Sequence, residues 1–383
     1  MDTLLTPEDL AFQATCRRYA ATELTEIAAK YGETNDVPEE LRRSMANAGL
    51  FKHAIPPEYG GAGVSATRIC LAREVLAGVY GPADVTLAMQ GLGAYPIVLG
   101  GNEAQKQRYL PRIASGDYLT TFALTEPNAG SDVSSLETVA TPVAGRYALN
   151  GVKRFISNGY SADIAVIFAK TPTAEKPKTI SAFIIKKGTP GFEVAARIEL
   201  MAAHDIVRFT LDRAMVPADD LVGEIGDGFK LAMGTLELMR MTVGAAAVGM
   251  AQKALDEALE YASNRVQFGV PLADQQGIKF KLAEMATDLE AARLLVYRAA
   301  VKKDRNAPDV ALAASMAKLY ATEAAGSIID QALQIHGGIG VMKGTAVERL
   351  YREIRPLRIY EGTTEIQKLV ISRLLLRKSG RKP

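Results

Sequence analysis

The sequence predicts an α+β fold, mostly α, in three zones: an N-terminal helical domain over 1–118, a middle antiparallel β-barrel or sandwich domain over 119–226, and a C-terminal four-helix bundle over 227–383. Three observations carry this. Apolar residues recur at helical spacing in the two outer zones. The middle zone alternates with period two, is rich in β-branched residues and is punctuated by turn signals. The composition, 48% apolar and 23% charged over 383 residues, is that of a globular chain long enough for two or three domains. A net charge of +2 lacks the basic footprint that nucleic-acid binding needs.

The first zone opens on Thr6-Pro7-Glu8-Asp9, a cap followed by a first-turn proline and acids that suit the helix dipole. A second helix is expected from Pro38 to Gly49, a third from Ser65 to Tyr80, and two shorter ones over 84–98 and 103–115. The loop Pro56–Gly63 breaks the helical pattern. In the middle zone, Asn150-Gly151 between two apolar-alternating runs predicts a hairpin turn. Further strands are expected over 163–169, 179–186, 192–199 and 206–213. In the last zone, long helices over 227–263, 274–303 and 308–336, and a shorter one after Thr363, predict an antiparallel bundle with broadly buried faces.

Two cysteines, Cys16 and Cys70, predict buried thiols in a reducing compartment rather than a disulfide framework. The three histidines, His53, His204 and His336, are scattered, so no metal site is expected. Residues 1–10 carry two acids and no basic n-region, so no secretory signal is expected. The apolar run Met241–Ala251 is too short to span a bilayer. These readings predict a cytoplasmic protein, or a mitochondrial-matrix one if the source is eukaryotic.

Nucleophile elbows and Walker loops are absent, and Gly337-Gly338-Ile339-Gly340 follows a helix rather than a strand, so it is not a dinucleotide fingerprint. It reads as a helix C-terminus, with His336 as a dipole partner. Three stretches remain as sites of chemistry. Phe122–Asp132 runs from a strand into a hydroxyl-rich loop: a phosphate or ring-edge cradle, or an ordinary capped turn. Arg265–Gly269, with Gln275-Gln276 beyond, is a loop between bundle helices or a solvated helix end. Ile359–Gln367 places Glu361 in a turn before a helix capped by Thr363 or Thr364, with Thr364 and Gln367 at capping-box spacing. Glu361 is either a carboxylate tuned as a base or an ordinary loop acid.

In order and spacing these stretches resemble the acyl-CoA dehydrogenase family, and the resemblance covers nearly the whole chain. Pro56–Gly63, Leu124–Asp132, Phe155–Asn158, Arg265–Gly269, Gln334–Gly340 and Tyr360–Gln367 all match family motifs. The resemblance implies non-covalent FAD, an acyl-CoA substrate, electron-transfer flavoprotein as acceptor and a homotetramer. It places Phe122, Leu124 and Thr125 along the flavin, with Phe155 and Ser157 covering the other side of the ring. Family members often carry Trp where this chain has Phe155. Arg265, Gln267 and Phe268 resemble contacts made to FAD from a neighbouring subunit, and Gln276 is expected as a further cofactor-binding position. Gln334, Gly338, Thr363 and Glu365 resemble further FAD contacts.

Glu361 matches the catalytic base, which removes an acyl α-proton while the β-hydrogen leaves as hydride to the flavin. Some members place the base on the first long C-terminal helix, but the matching position here is Met239; Glu237, two residues earlier, is a distant second. Ser131, Leu236, Arg240, Tyr360 and Gly362 resemble substrate-binding positions. The stretch 200–211 departs from the family pattern at His204-Asp205: either a divergent surface strand or loop, or an altered substrate contact. Two other enzyme readings share the fold, an oxidase using oxygen and a dehydrogenase of carrier-protein thioesters. A flavin-free scaffold would have lost Glu361 or the FAD motifs.

Overall fold

The computed structural model describes residues 4–172 and 179–379. Residues 1–3, the start of the segment read for a secretory signal, and 380–383 lie outside the described residues. In chain order the helices are α1 (Pro7–Tyr19), α2 (Thr25–Tyr31), α3 (Glu39–Asn47), α4 (Ala66–Val79), α5 (Gly81–Gly100) and α6 (Glu103–Ala114). The strands are β1 (Thr120–Ala123), β2 (Val139–Val143), β3 (Arg146–Ser157), β4 (Ile164–Lys170), β5 (Ile180–Lys186), β6 (Phe192–Arg197), β7 (Ile206–Pro217) and β8 (Leu221–Val222). Then follow α7 (Gly228–Asn264), the short strands β9 (Val266–Gln267) and β10 (Val270–Pro271), α8 (Gln276–Asp304), α9 (Val310–His336), α10 (Ala346–Ile354) and α11 (Thr364–Lys378). The outer zones are helical and the middle is a sheet, as the sequence predicts.

Contacts divide the described chain into two compact units. Among the described residues, one holds 4–25, Ala66–Gly81 and 240–379; the other holds Glu26–Ser65, 82–172 and 179–239.

The second unit is built on one sheet in the order β6-β7-β3-β2-β4-β5-β8. Most pairs are antiparallel, but β1 pairs parallel with β4, Thr120 opposite Ile164. The β2–β3 hairpin inserted between them supplies the crossover a parallel pair needs. Period-two alternation fails on β4 and β5. Ile164, Val166 and Phe168 pack with Ile97, Tyr109 and Leu231, while Ala165 and Ile167 pack with Leu149, Phe183 and Val207. Both faces are buried, so the strands read as continuous apolar runs.

The expected Asn150-Gly151 turn is overturned. Both residues lie inside β3, and the hairpin turns instead at Ala144 (φ 45°) and Gly145 (φ 75°), with Val143 opposite Arg146. Two positive φ values suit the twist of a two-residue hairpin. Asn150-Gly151 forms a bulge instead: the register against β7 shifts between Leu149 and Gly151. Gly151 has φ 154°, and a Cβ there would meet Thr138 Cα at 2.7 Å. Asn150 Oδ1 accepts from the Arg213 N–H at 2.9 Å.

In the first unit, Thr6 caps α1 through a capping box with Asp9. Buried Arg73 on α4 donates to Thr242 Oγ1 at 2.9 Å. A Cβ on Gly249 would sit 1.8 Å from Glu74 O, so α4 and α7 approach at glycine. Cys16 and Cys70 are buried free thiols, and burial pushes Cys16 up to about 12. Helix α7 is long and apolar enough to cross a membrane by length and composition, but most of its apolar stretch is buried inside the protein. Helix α10 was not expected; Thr345 caps it.

Candidate functional site

The site residues named from the sequence fall into three groups, one in the second unit and two in the first.

The first group is held by β1 and β3. Phe122 at the end of β1 is half-buried, its ring 4.7 Å from Phe168. Leu124 is buried, and Thr125 O accepts from the Arg154 N–H at 2.9 Å, which lays the Phe155–Ser157 segment beside it. Phe155 (φ 58°) and Asn158 (φ 54°) flank Ser157, a left-handed backbone that non-glycine residues adopt only when the surroundings impose it. Thr121 Oγ1 donates to Ser157 O at 2.7 Å, and Ser157 Oγ lies 2.8 Å from His204 Nε2. Phe155 stays 46% exposed, an aromatic face with Arg154 above it at 4.8 Å.

Beneath this segment lies an ion pair that sequence reasoning missed. Lys153 Nζ reaches Glu126 Oε1 at 2.6 Å and donates to Leu124 O at 3.2 Å; both side chains are buried. Glu126 also accepts from the Thr138 N–H at 3.1 Å and from the Glu137 N–H. Burial pushes Glu126 up, but the Lys153 charge and these donors win and hold it below the usual carboxylate range. Burial brings Lys153 down to about 8 against the pull of Glu126. The pair fixes the Leu124–Glu126 backbone; Ser131 lies further along the loop, exposed. Leu236 packs against the apolar core of the same unit, and Met239 is fully buried.

The second group surrounds Glu361. It sits at φ 53°, followed by Gly362 at φ 94°, in the turn that precedes α11. Thr363, not Thr364, caps that helix, its hydroxyl accepting from the Ile366 N–H at 3.3 Å. The capping-box reading of Thr364 and Gln367 therefore fails. Thr364 donates instead to Glu323, and buried Gln367 turns back to donate to Glu361 O (3.2 Å) and Gly362 O (2.9 Å). Lys318 on α9, fully buried, donates from Nζ to Gly362 O at 2.8 Å. Burial lowers Lys318 to about 8; Glu361 pulls it up and Arg240 pushes it further down. Tyr360 donates its N–H to Pro356 O at 3.0 Å, and Glu365 lies in the first turn of α11. Lys318 had a signal in the sequence, since it falls on the buried stripe Ala314, Lys318, Ala321, Ala325, where a lysine needs a partner.

The third group is the turn between α7 and α8, where β9 and β10 make a small hairpin through Phe268 (φ 55°) and Gly269 (φ 80°). The His336 ring stacks on Tyr261 at 4.4 Å, bringing the Gln334–Gly338 turn to the helix that leads into Arg265. Gly337 ends α9 at φ 60°, as the helix-end reading expects. Arg265, Gln267, Gln276 and Gln334 are all exposed, and Phe268 is 96% exposed. A Cβ on Gly337 or Gly338 would meet nothing within 4 Å. One guanidinium, three amides, two open glycines and a bare aromatic ring fit a ligand that joins a diphosphate to flat rings. FAD is such a ligand.

Residues 200–205 form no strand; β7 begins at Ile206. His204 is half-buried and bonded to Ser157, rather than lying free on the surface. Among the described residues no cluster could hold a metal ion.

Comparison with known proteins shows the family and the fold. Three family models match: the acyl-CoA dehydrogenase N-terminal domain over residues 6–117, its middle domain over 121–213 and its C-terminal domain over 226–376. The chain is 43% identical over 375 residues to an acyl-CoA dehydrogenase of Bacillus subtilis, covering 97% of this chain and 99% of that protein. It is 42% identical over 369 residues to the caffeyl-CoA reductase-Etf complex subunit CarC of Acetobacterium woodii, covering 94% and 96%. Among solved structures, butyryl-CoA dehydrogenase from Megasphaera elsdenii superposes with a TM-score of 0.92 at 38% identity, covering 97% of this chain and 99% of that one.

Proposed function

The chain belongs to the acyl-CoA dehydrogenase family of FAD-dependent oxidoreductases acting on CH–CH bonds, and from that premise we propose that it dehydrogenates a short-chain acyl-CoA to the trans-2-enoyl-CoA with Glu361 as base. The observation that carries this is the turn itself. Glu361 stands at a positive φ on a backbone whose carbonyls are clamped by buried Lys318 and Gln367. A base held this way need not reorganise when it acts. The short-chain choice draws on the likeness to butyryl-CoA dehydrogenase.

An acyl α-proton is a very weak acid, so the thioester carbonyl must be polarised as charge develops. The Glu361 backbone N–H supplies one donor for that carbonyl, and its carboxylate takes the proton. The Lys318 ammonium, whose charge interacts with Glu361, stands on the same turn and donates to Gly362 O. Bound FAD supplies the acceptor for the β-hydride. Phe122–Thr125 and Phe155–Ser157 would hold its ring, Arg265, Gln267 and Phe268 of a neighbouring subunit would hold its polar portion, and Gln276, Gln334, Thr363 and Glu365 would add further contacts. Ser131, Leu236, Arg240 and Tyr360 bind substrate. Exposed Phe268, Val341, Leu369 and Phe280 on the first unit suit burial in a homotetramer. Electron-transfer flavoprotein is the acceptor, a choice supported by the relative that belongs to an Etf complex.

The test is Glu361→Gln, which keeps shape and removes the base. Stopped-flow bleaching of the flavin by a panel of acyl-CoAs should slow by about 10²–10⁴-fold or more, with acyl-CoA binding intact. A near-parental rate would move the base elsewhere, and Glu237→Gln would be next. Arg265→Ala should weaken FAD retention by about 1.5–3 kcal/mol, with little effect on chemistry per bound flavin. Equal FAD content in variant and parent would refute that role.

A further inference from the structure

Residues 200–205, the stretch that departs from the family pattern, converge on the Ser157 turn. The His204 N–H donates to Asn35 Oδ1 at 2.8 Å. On the other side of His204, Asp205 O accepts from the Asn158 N–H at 2.6 Å. The Asp205 carboxylate accepts from the N–H groups of Tyr160 (3.2 Å) and Ser161 (3.0 Å). His204 is thus fixed from both chain directions, and its Nε2 lies 2.8 Å from Ser157 Oγ. Burial brings the imidazole down to about 4, so the ring is neutral at neutral pH. A neutral imidazole offers one donor and one acceptor.

We propose that His204 is a positioning residue that sets the direction of the Ser157 hydroxyl toward the bound flavin. This rests on the reading of Ser157 as a flavin neighbour. A flavin ring nitrogen accepts a hydrogen bond when oxidised and carries a proton when reduced. A hydroxyl backed by a neutral imidazole can match both, because Nε2 donates to Oγ in one tautomer and accepts its proton in the other. A lysine could only donate and a carboxylate only accept. Hydrogen bonds to the ring tune a cofactor's electronics, so His204 acts on the flavin through Ser157.

The experiment uses the FAD-loaded protein and the variants Ser157→Ala, His204→Phe, His204→Gln and the double variant S157A/H204F. It reads FAD stoichiometry, the visible spectrum and the midpoint potential. Ser157→Ala and His204→Phe should shift the potential in the same direction at full FAD content, and slow flavin reduction about tenfold, the size of one lost hydrogen bond. His204→Gln, which keeps a hydrogen-bonding head, should shift it less. The double variant should match Ser157→Ala alone, whereas additive shifts would overturn the proposal. If Ser157→Ala shifts nothing, the flavin-facing reading of Ser157 fails and takes this inference with it. If Ser157→Ala shifts and His204→Phe does not, only the role of His204 fails. Should His204→Phe not fold, ring ¹⁵N signals of the parent decide. With three histidines the assignment is tractable. His204 should change tautomer between oxidised and reduced protein, and an unchanged tautomer would overturn the inference.

Discussion

Lys153 and Lys318 are both fully buried, both lie near pKa 8, and both hold the backbone of a turn that bears candidate site residues. They differ in how the buried charge is answered. Lys153 meets a carboxylate directly at 2.6 Å and is spent within its own pair. Lys318 meets a carbonyl, Gly362 O at 2.8 Å, and its charge acts on Glu361 beyond. The first arrangement secures a loop; the second secures a loop and keeps a charge in play where the proposed reaction needs an anion. A buried ion pair is costly to break and weak evidence of net stabilisation. A buried ammonium on a carbonyl is weaker as a clamp but stays electrostatically available.

Breaking the comparison begins with Lys153→Met, which strands the Glu126 carboxylate in the core. It should destabilise the protein by about 3–5 kcal/mol in denaturant unfolding, and Glu126→Gln on the same chain should recover much of that loss. A loss below 1 kcal/mol would mean that the carboxylate finds water or another partner. Lys318→Met should cost less, about 1–3 kcal/mol, but should slow flavin reduction about tenfold by loosening the Glu361 turn and removing the nearby charge. Unchanged bleaching with lowered stability would reduce Lys318 to the structural role of Lys153.

The smallest effect separates the two by pH. Each lysine has a folded pKa near 8 against 10.5 in the unfolded chain. Between these values the unfolded state binds more protons, so stability should rise as pH rises, and each methionine variant should lose its share of that slope. Below about pH 8 both states carry the proton and the slope vanishes. Flavin reduction should fall above about pH 8 in the parent as Lys318 loses its charge. It should keep falling in Lys153→Met and flatten in Lys318→Met. A fall that persists in Lys318→Met would assign it to another group.

The sequence by itself determined features whose hydrogen bonds close within a few residues. The Thr6–Asp9 capping box and the end of α9 at Gly337 were legible because each is a local backbone problem with few solutions. The residues of the candidate site were legible only as motifs in order, since residue type and spacing persist where the contacts themselves cannot be read. Tertiary structure decided the rest. Asn150-Gly151 has the chemistry of a turn, but pairing of β3 with β7 turned it into a bulge. Thr364 and Gln367 have capping spacing, but Gln367 is drawn back to the Glu361 and Gly362 carbonyls. Lys153 with Glu126 (27 residues apart), Lys318 with Gly362 (44) and His204 with Ser157 (47) exist only because packing closes long loops. Buried polar groups must find partners wherever the fold leaves them, and the identity of the partner is set by register and helix packing, not by the residues nearby in the chain.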